Sequence, residues 1–219
     1  MKFVVAAGVL AVTIAAAAPA RAQVEAGDVL VRARAILVSP TEESGPVAPG
    51  FPTGSVGVSD RAAPELDFTY MLTDHIGAEL ILATTKHDIS GRGALSALGD
   101  VASTRVLPPT LTLQYHFAPK AHVRPYVGAG INYTTFYSAD ASRSLEAAIG
   151  KTDVSLKDSF GYALQAGVDI DLGSRVFLNF DVKYLDIDTS ARLTTGTAVN
   201  RVDVSIDPVV PAIGIGMRF

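Results

Sequence analysis

The stretch VPAIGIGMRF, residues 210–219, ends the sequence on an aromatic side chain. Its odd-numbered positions are large and apolar: Ile213, Ile215, Met217 and Phe219. Its even-numbered positions are small or charged: Ala212, Gly214, Gly216 and Arg218. Successive side chains of a β-strand point to opposite faces, so the stretch predicts a strand with one apolar face. Because chain ends fray unless they are tied down, we expect ladder hydrogen bonds to hold Phe219 and its ring to lie at a membrane interface.

Residues 1–22 have the pattern of a secretory signal peptide. The basic Lys2 is followed by an apolar run over residues 3–18 and then by Ala20-Arg21-Ala22, a small-residue cleavage motif. We expect cleavage after Ala22, which leaves residues 23–219 as a single mature domain. An uncleaved signal anchor is the alternative, but the apolar run is short for a membrane span.

The composition excludes several classes of protein. Loss of Lys2 and Arg21 shifts the formal net charge from −4 to about −6, and this mild acidity argues against nucleic acid as a partner. The chain has no cysteine, which excludes disulfides, thiol catalysis, iron–sulfur clusters and cysteine-based zinc sites. Beyond the signal segment no apolar run reaches the roughly 18 residues that a membrane-spanning helix requires.

Eight segments of the mature chain alternate apolar residues with polar or small ones, which is the period of a β-strand. They lie near residues 29–38, 62–72, 76–86, 105–117, 123–137, 158–171, 175–187 and 202–219. In TLTLQYHF (110–117), for example, leucine, tyrosine and phenylalanine fall on one face, and threonine, glutamine and histidine fall on the other.

The connections between these segments alternate in length. Short joins lie near residues 73–75, 118–122 and 172–174, and long ones lie near 39–61, 87–104, 138–157 and 188–201. Outer-membrane barrels have short periplasmic turns and long outer loops in this alternation. The sequence therefore predicts an all-β fold, an eight-stranded antiparallel transmembrane β-barrel with four long extracellular loops.

The strand charges collect on the face opposite the apolar one. By parity this face holds six basic residues, Arg32, Arg34, Arg124, Arg175, Lys183 and Arg218, and six acidic ones, Glu65, Asp67, Glu79, Asp169, Asp171 and Asp181. Matched charges suit an enclosed face, because an unpaired buried charge is costly. A membrane barrel with a polar interior is therefore favoured over a soluble barrel, whose apolar side chains point inward.

Height along the strands divides the inner face into two zones. We predict a polar plug low in the barrel: Arg32, Arg34, Asp67, Glu79, Arg124, Asp169, Asp171, Asp181, Lys183 and Arg218. We predict an apolar ligand path above it, open to the outside: Ile36, Ile81, Phe136, Leu185, Val204, Ile206 and Val210. The last strand is expected to switch face near Asp207, and Pro208 and Pro211 to interrupt its ladder, because proline cannot donate a ladder hydrogen bond.

Several of these stretches resemble the OmpW family of outer membrane proteins. They are LPPTLTLQYHF (107–117), RPYVGAGINYTTFY (124–137), LKDSFGYALQAGVDIDL (156–172), FLNFDVKYLDIDT (177–189), VDVSIDPVV (202–210) and the terminal GIGMRF (214–219). The resemblance implies a barrel in a Gram-negative outer membrane that binds or passes small hydrophobic molecules through a narrow apolar lumen, with lateral release into the bilayer as one route. Two positions where the family commonly has tryptophan are Phe160 and Val209 in this chain.

Other functions remain as alternatives to transport. The protein could be a structural or adhesive anchor that acts through its loops, or a soluble periplasmic lipid carrier. A lipid-modifying enzyme would need a nucleophile, a base and an orienting group within reach. Only His87, with Asp88 and Ser90, lies near the outer rim, and hydrogen bonding to a loop is its simpler role. We therefore assign no catalytic, cofactor or metal-binding residue.

The expected partners follow from the predicted location. They are outer membrane lipids, lipopolysaccharide, small hydrophobic solutes and the outer-membrane insertion machinery, for which Phe219 is the expected insertion signal.

Overall fold

The computed structural model describes residues 23–219, and the predicted signal peptide, residues 1–22, lies outside them. In chain order the described strands are β1 (Val29–Val38), β2 (Glu43–Ser44), β3 (Gly54–Val58), β4 (Arg61–Met71), β5 (Ile76–Ala83), β6 (Thr85–Gly93), β7 (Asp100–Leu107), β8 (Thr110–His116), β9 (Val123–Ala141), β10 (Thr152–Leu156), β11 (Ser159–Asp171), β12 (Val176–Leu185), β13 (Asp188–Thr195), β14 (Ala198–Ser205) and β15 (Val209–Arg218). A short 3-10 helix spans Ser96–Leu98, and helix α1 spans Arg143–Ile149. Among the described residues, no helix has the length and apolarity to cross a membrane.

Eight of the strands close into an antiparallel barrel, as predicted. Their order around the barrel is β1–β4–β5–β8–β9–β11–β12–β15, and the pairing of β15 with β1 closes the ring. The end of the chain is held by the expected ladder bonds. The Phe219 N–H donates to the Val29 carbonyl at 2.9 Å, and the Phe219 carbonyl accepts from the Val29 N–H at 3.0 Å.

The two faces of the barrel have the predicted orientation. Leu113 and Ile215 are 59% and 57% exposed on the outer surface, and Leu178 lies on the same outward parity of its strand. Charged side chains such as Arg32 and Asp169 point inward and are fully buried. An apolar outer surface around a charged interior is stable only where lipid, and not water, surrounds the barrel.

The segments predicted as four long loops are mostly paired strands. Strands β2, β3, β6, β7, β10, β13 and β14, with the end of β9, form a second ladder above the barrel, which we call the upper tier. Its outer face is polar, since Arg192 and Asp203 are exposed, and its inner face is apolar, since Ala191 and Val202 are buried. The reversed polarity is physically reasonable, because water and not lipid surrounds this part of the protein.

The last strand does not switch face near Asp207, contrary to the prediction. Val204 and Val210 are both buried, so the even-numbered side chains point inward above and below this point. The strand is interrupted instead, because β14 ends before Pro208, β15 begins after it, and Asp207 has a positive φ of 39°. Pro211 lies within β15, where it pairs with Val182 of β12.

Candidate functional site

Two arginines of β1 form the centre of a buried ion-pair network in the lower barrel. Arg32 Nη1 lies 2.9 Å from Asp67 Oδ1, and Arg32 Nη2 lies 3.0 Å from Asp169 Oδ2. Arg34 Nη2 lies 2.7 Å from Asp67 Oδ2 and 3.2 Å from Glu79 Oε1. All five side chains are 0% exposed. The network therefore cross-links strands β1, β4, β5 and β11 through the lumen, as a plug must.

Lys183 forms the highest ionic layer of this plug. Its Nζ lies 2.9 Å from Glu65 Oε1 and 2.9 Å from Asp181 Oδ1. Arg34 Nε also lies 2.8 Å from Glu65 Oε1. Because Lys183 is on β12 and Glu65 is on β4, their contact spans the lumen. Glu65 thus belongs to the network, although the predicted plug omits it.

Two basic residues of the predicted inner face lie outside the network. The Arg218 side chain is 20% exposed and lies 3.7 Å from Asp28 at the lower mouth of the barrel, and Arg175 is exposed nearby. Arg124 forms an ion pair with the partly buried Asp171 at the lower end of the lumen. Parity gives the face of a side chain but not its distance from the end of the strand. The sequence therefore predicts Arg218 in the plug and Arg175 on the inner face, whereas both lie at the mouth.

The charges inside the described lumen are therefore not balanced. Six carboxyl groups, those of Glu65, Asp67, Glu79, Asp169, Asp171 and Asp181, lie among four basic groups, those of Arg32, Arg34, Arg124 and Lys183.

Neutral side chains donate further hydrogen bonds to the carboxylates of the plug, and the sequence-based prediction did not include them. Tyr126 Oη donates to Asp181 Oδ2 at 2.8 Å, Asn179 Nδ2 donates to Asp169 Oδ1 at 2.8 Å, and Gln165 Nε2 donates to Asp181 Oδ2 at 2.9 Å. Their inward parity is the signal that identifies them. Satisfied partners on all sides are what make a buried charge network tolerable.

A glycine gives the plug the space for its tyrosine. A Cβ at Gly167 would lie only 2.4 Å from the ring of Tyr126, so no larger residue fits there without displacing that ring. Small residues on the inward face are thus a consequence of the narrow lumen.

The N-terminal segment closes the barrel at the end that carries the short turns. Val24 is 1% exposed and packs with Leu30, Met71 and Phe177 below the ion pairs. Its backbone N–H donates to the Pro119 carbonyl at 3.0 Å in one of the short turns. An apolar layer therefore lies between the plug and the lower mouth of the barrel.

An apolar chamber occupies the lumen above Lys183. Its free volume is about 90 Å³, and inward-facing side chains of both the barrel and the upper tier surround it. All seven residues of the predicted ligand path line it: Ile36, Ile81, Phe136, Leu185, Val204, Ile206 and Val210. Glu65 and Lys183 line it from below. The structure thus brings the predicted apolar residues together above the charged ones.

His87 lines the chamber but makes no catalytic arrangement with Asp88 and Ser90. Its Nδ1–H donates to the Ser59 carbonyl at 2.7 Å, which leaves Nε2 to accept from the Thr85 hydroxyl at 2.9 Å. Asp88 is on the opposite parity and pairs with an arginine outside. Burial lowers the pKa of His87, which lies in the upper tier, and this favours the neutral ring that both hydrogen bonds need.

The chamber has a roof, whereas we expected it to be open to the outside. Leu145 of α1, Leu95 and Val47 are all at most 4% exposed, and they pack with the inner faces of β7 and β14. Helix α1 is fixed by Ser142, whose Oγ accepts from the Leu145 N–H at 3.1 Å. The roof closes the chamber from above, as the plug closes it from below.

The wall of the chamber lacks ladder bonds beside Pro108 and Pro109. The pairing of β5 with β8 ends at Ile81 and Thr110, and the pairing of β6 with β7 begins at Thr85 and Val106 in the same register. Residues 82–84 thus face residues 107–109 without ladder pairs, because proline has no N–H to donate. Ala83 and Pro108 line the chamber, so this interruption lies directly in its wall.

Comparisons with known proteins give a consistent result. The model of the OmpW family matches residues 25–219. Outer membrane protein W of Escherichia coli strain K12 is 42% identical over 197 residues, which cover 89% of this chain and 90% of that protein. The dibenzothiophene metabolism operon protein PahQ of Pseudomonas aeruginosa is 32% identical over 173 residues, 77% of this chain and 76% of that protein. The crystal structure of the outer membrane protein OprG from P. aeruginosa has a TM-score of 0.83 at 33% identity and covers 89% of this chain and 97% of that one.

Proposed function

Because the chain belongs to the OmpW family and is an outer-membrane barrel, we propose that it takes up small hydrophobic molecules through the apolar chamber. The observation that carries this proposal is the chamber itself, whose lining is mostly aliphatic, with one phenylalanine, four threonines and His87, directly above a charged plug. Apolar solutes are stabilised there by the removal of their surface from water.

A relative supports the apolar class of solute. PahQ is named for an operon of dibenzothiophene metabolism, and dibenzothiophene is an apolar aromatic molecule. A protein of such an operon that resembles this chain over most of its length is consistent with uptake of apolar solutes. The same role is proposed here for the chamber lined by Ile36, Ile81 and Leu185.

We further propose that solutes leave sideways into the bilayer through the interruption at Pro108 and Pro109. Straight passage would require the ion pairs of Arg32 and Arg34 to open, and truncation of one partner of such a pair costs about 3–5 kcal/mol. The interruption needs no ladder bond to break. Its outward-facing neighbour Leu82 is 39% exposed and apolar, so the route ends in lipid.

This function is not enzymatic, and its partners follow from its location. Outer membrane lipids and lipopolysaccharide would surround the apolar band and the rim of the upper tier. The insertion machinery of the outer membrane would recognise the terminal strand that ends in Phe219. A role as a structural or adhesive anchor is the alternative, and it predicts that changes in the chamber leave the phenotype intact.

A disulfide across the interruption tests the lateral route. The β5–β8 and β6–β7 pairings share one register, in which residue 84 lies opposite residue 107. Thr84→Cys with Leu107→Cys therefore places the two thiols opposite each other. We expect the oxidised variant to take up decane at least tenfold more slowly, measured as the initial uptake of labelled decane by cells that lack their own copy. Reduction should restore the rate, since the chain has no other cysteine.

The matched control places a disulfide in an intact part of the same ladder. Leu80 and Leu111 are paired and point outward below the chamber, so Leu80→Cys with Leu111→Cys should leave uptake within twofold of the unmodified protein. Equal uptake by the oxidised and reduced forms of the 84/107 variant would contradict the lateral route.

A further inference from the structure

The boundary between plug and chamber carries two charged groups that face a mostly apolar space. Lys183 and Glu65 are each 3–4% exposed, and both line the chamber. Three aliphatic side chains lie beside this pair. Leu185 is two positions above Lys183 on β12, and Ile36 and Ile81 are on β1 and β5, the two neighbours of β4. A solute that enters the chamber therefore has hydrocarbon on its sides and an ion pair at its lower end.

The hydrogen bonding of this ion pair is incomplete within the described part of the chain. A lysine ammonium has three N–H donors, and Lys183 uses two of them, on Glu65 and Asp181 at 2.9 Å each. The nitrogens Lys183 Nζ and Arg34 Nε both lie within 2.9 Å of the same Glu65 oxygen, Oε1. One donor of Lys183 and the second oxygen of Glu65 are therefore available to a polar group of a solute.

The sign of the surrounding charge restricts what that polar group is. The described lumen holds six carboxyl groups and four basic groups, as given above. A solute carboxylate beside Lys183 would also lie close to Glu65 and Asp181, where like charges repel. A hydroxyl group avoids this repulsion, because it accepts from Lys183 and donates to Glu65 with no charge of its own.

We propose that Lys183 and Glu65 form a head-group subsite, and that the chamber takes alkyl alcohols in preference to hydrocarbons or fatty acids. The hydroxyl is held between the two side chains, and the alkyl tail extends upward between Ile36, Leu185 and Val204. This inference depends on the proposed function, which supplies the apolar chamber as the place where the tail binds.

The wild-type protein in lipid nanodiscs tests this preference with three ligands of equal chain length. Decan-1-ol, decane and decanoate are titrated at pH 7.5, and the methyl signals of Ile81 and Leu185 report occupancy against the concentration of each ligand in the bilayer. We expect decan-1-ol to bind about tenfold more tightly than decane, which corresponds to about 1.4 kcal/mol. Decanoate is expected to bind more weakly than the alcohol.

A double variant identifies the residues responsible. Lys183→Met with Glu65→Gln removes one positive and one negative charge together and keeps a side-chain oxygen beside Arg34. The advantage of decan-1-ol over decane should fall to within twofold. Lys157→Met, at an exposed position between β10 and β11, is the matched control and should retain the tenfold advantage.

The outcomes separate the subsite from the function on which it depends. Equal affinity of the wild type for decane and decan-1-ol, or tighter binding of decanoate, would overturn the subsite while the chamber still binds apolar solutes. An unchanged alcohol preference in the double variant would also overturn it. If none of the three ligands shifts the methyl signals of the chamber, the proposed function fails, and the subsite fails with it.

Discussion

Arg32→Met is expected to lower the free energy of unfolding by about 3–5 kcal/mol. Arg32 lies between Asp67 and Asp169 at 2.9 and 3.0 Å, and all three side chains are 0% exposed. The substitution keeps much of the side-chain volume but leaves the buried Asp169 without its basic partner and leaves Asp67 with Arg34 alone. Removal of one member of a buried pair is costly because the other charge remains away from water.

Unfolding by guanidinium in lipid vesicles measures this loss. Arg218→Met is the matched control, since the Arg218 side chain is 20% exposed and lies 3.7 Å from Asp28 at the mouth. An exposed pair of this kind contributes up to about 1 kcal/mol. Equal destabilisation by the two substitutions would contradict a buried plug centred on Arg32.

Leu113→Arg is expected to destabilise the protein in vesicles by about 2–4 kcal/mol, the cost of an arginine on the lipid face near the middle of a membrane barrel. Leu113 is 59% exposed and pairs with Ala78 and Ala129 on the apolar band. Hydrocarbon cannot solvate the guanidinium, so the folded and inserted state loses stability relative to the unfolded chain.

An arginine introduced above the apolar band of the barrel, in the upper tier, should have little effect on stability. Ala198 is an exposed residue of β14 in the upper tier, and Ala198→Arg should change the free energy of unfolding by less than about 0.5 kcal/mol, as most surface substitutions do. A large loss for Ala198→Arg would mean that lipid also surrounds the upper tier, against the polarity of its outer face.

The sequence predicts the barrel well because alternation is strong where lipid and an enclosed lumen lie on opposite sides of a strand. The inward positions of Arg32 and Asp169 and the outward position of Leu113 follow from parity alone. The upper tier was expected to be loops, because its strands have water outside and carry small and polar residues such as those of β10 and β13. Their alternation is weaker and has the opposite sense, with apolar residues inside.

The candidate site was likewise predictable from the sequence only in part. The apolar residues of the chamber were predictable, since all seven lie on inward parity above the charges. The roof was not, because Leu145 lies on a helix within a long connection and Leu95 lies in a turn. Only tertiary contacts bring these side chains over the chamber. The excess of carboxyl groups was hidden for a similar reason, since parity cannot separate Arg218 at the mouth from Arg32 in the plug.

Contacts between a bound alkyl molecule and the protein test the central claim, which is that solutes bind in the chamber above the plug. Protein that is deuterated except for isoleucine, leucine and valine methyl groups is placed in deuterated lipid nanodiscs with protonated decan-1-ol. We predict nuclear Overhauser effects from the alkyl chain to Ile36, Ile81 and Val210, whose side chains point into the chamber. Effects that reach only Leu80, Leu113 and other lipid-facing methyls would place the molecule in the bilayer and contradict the account.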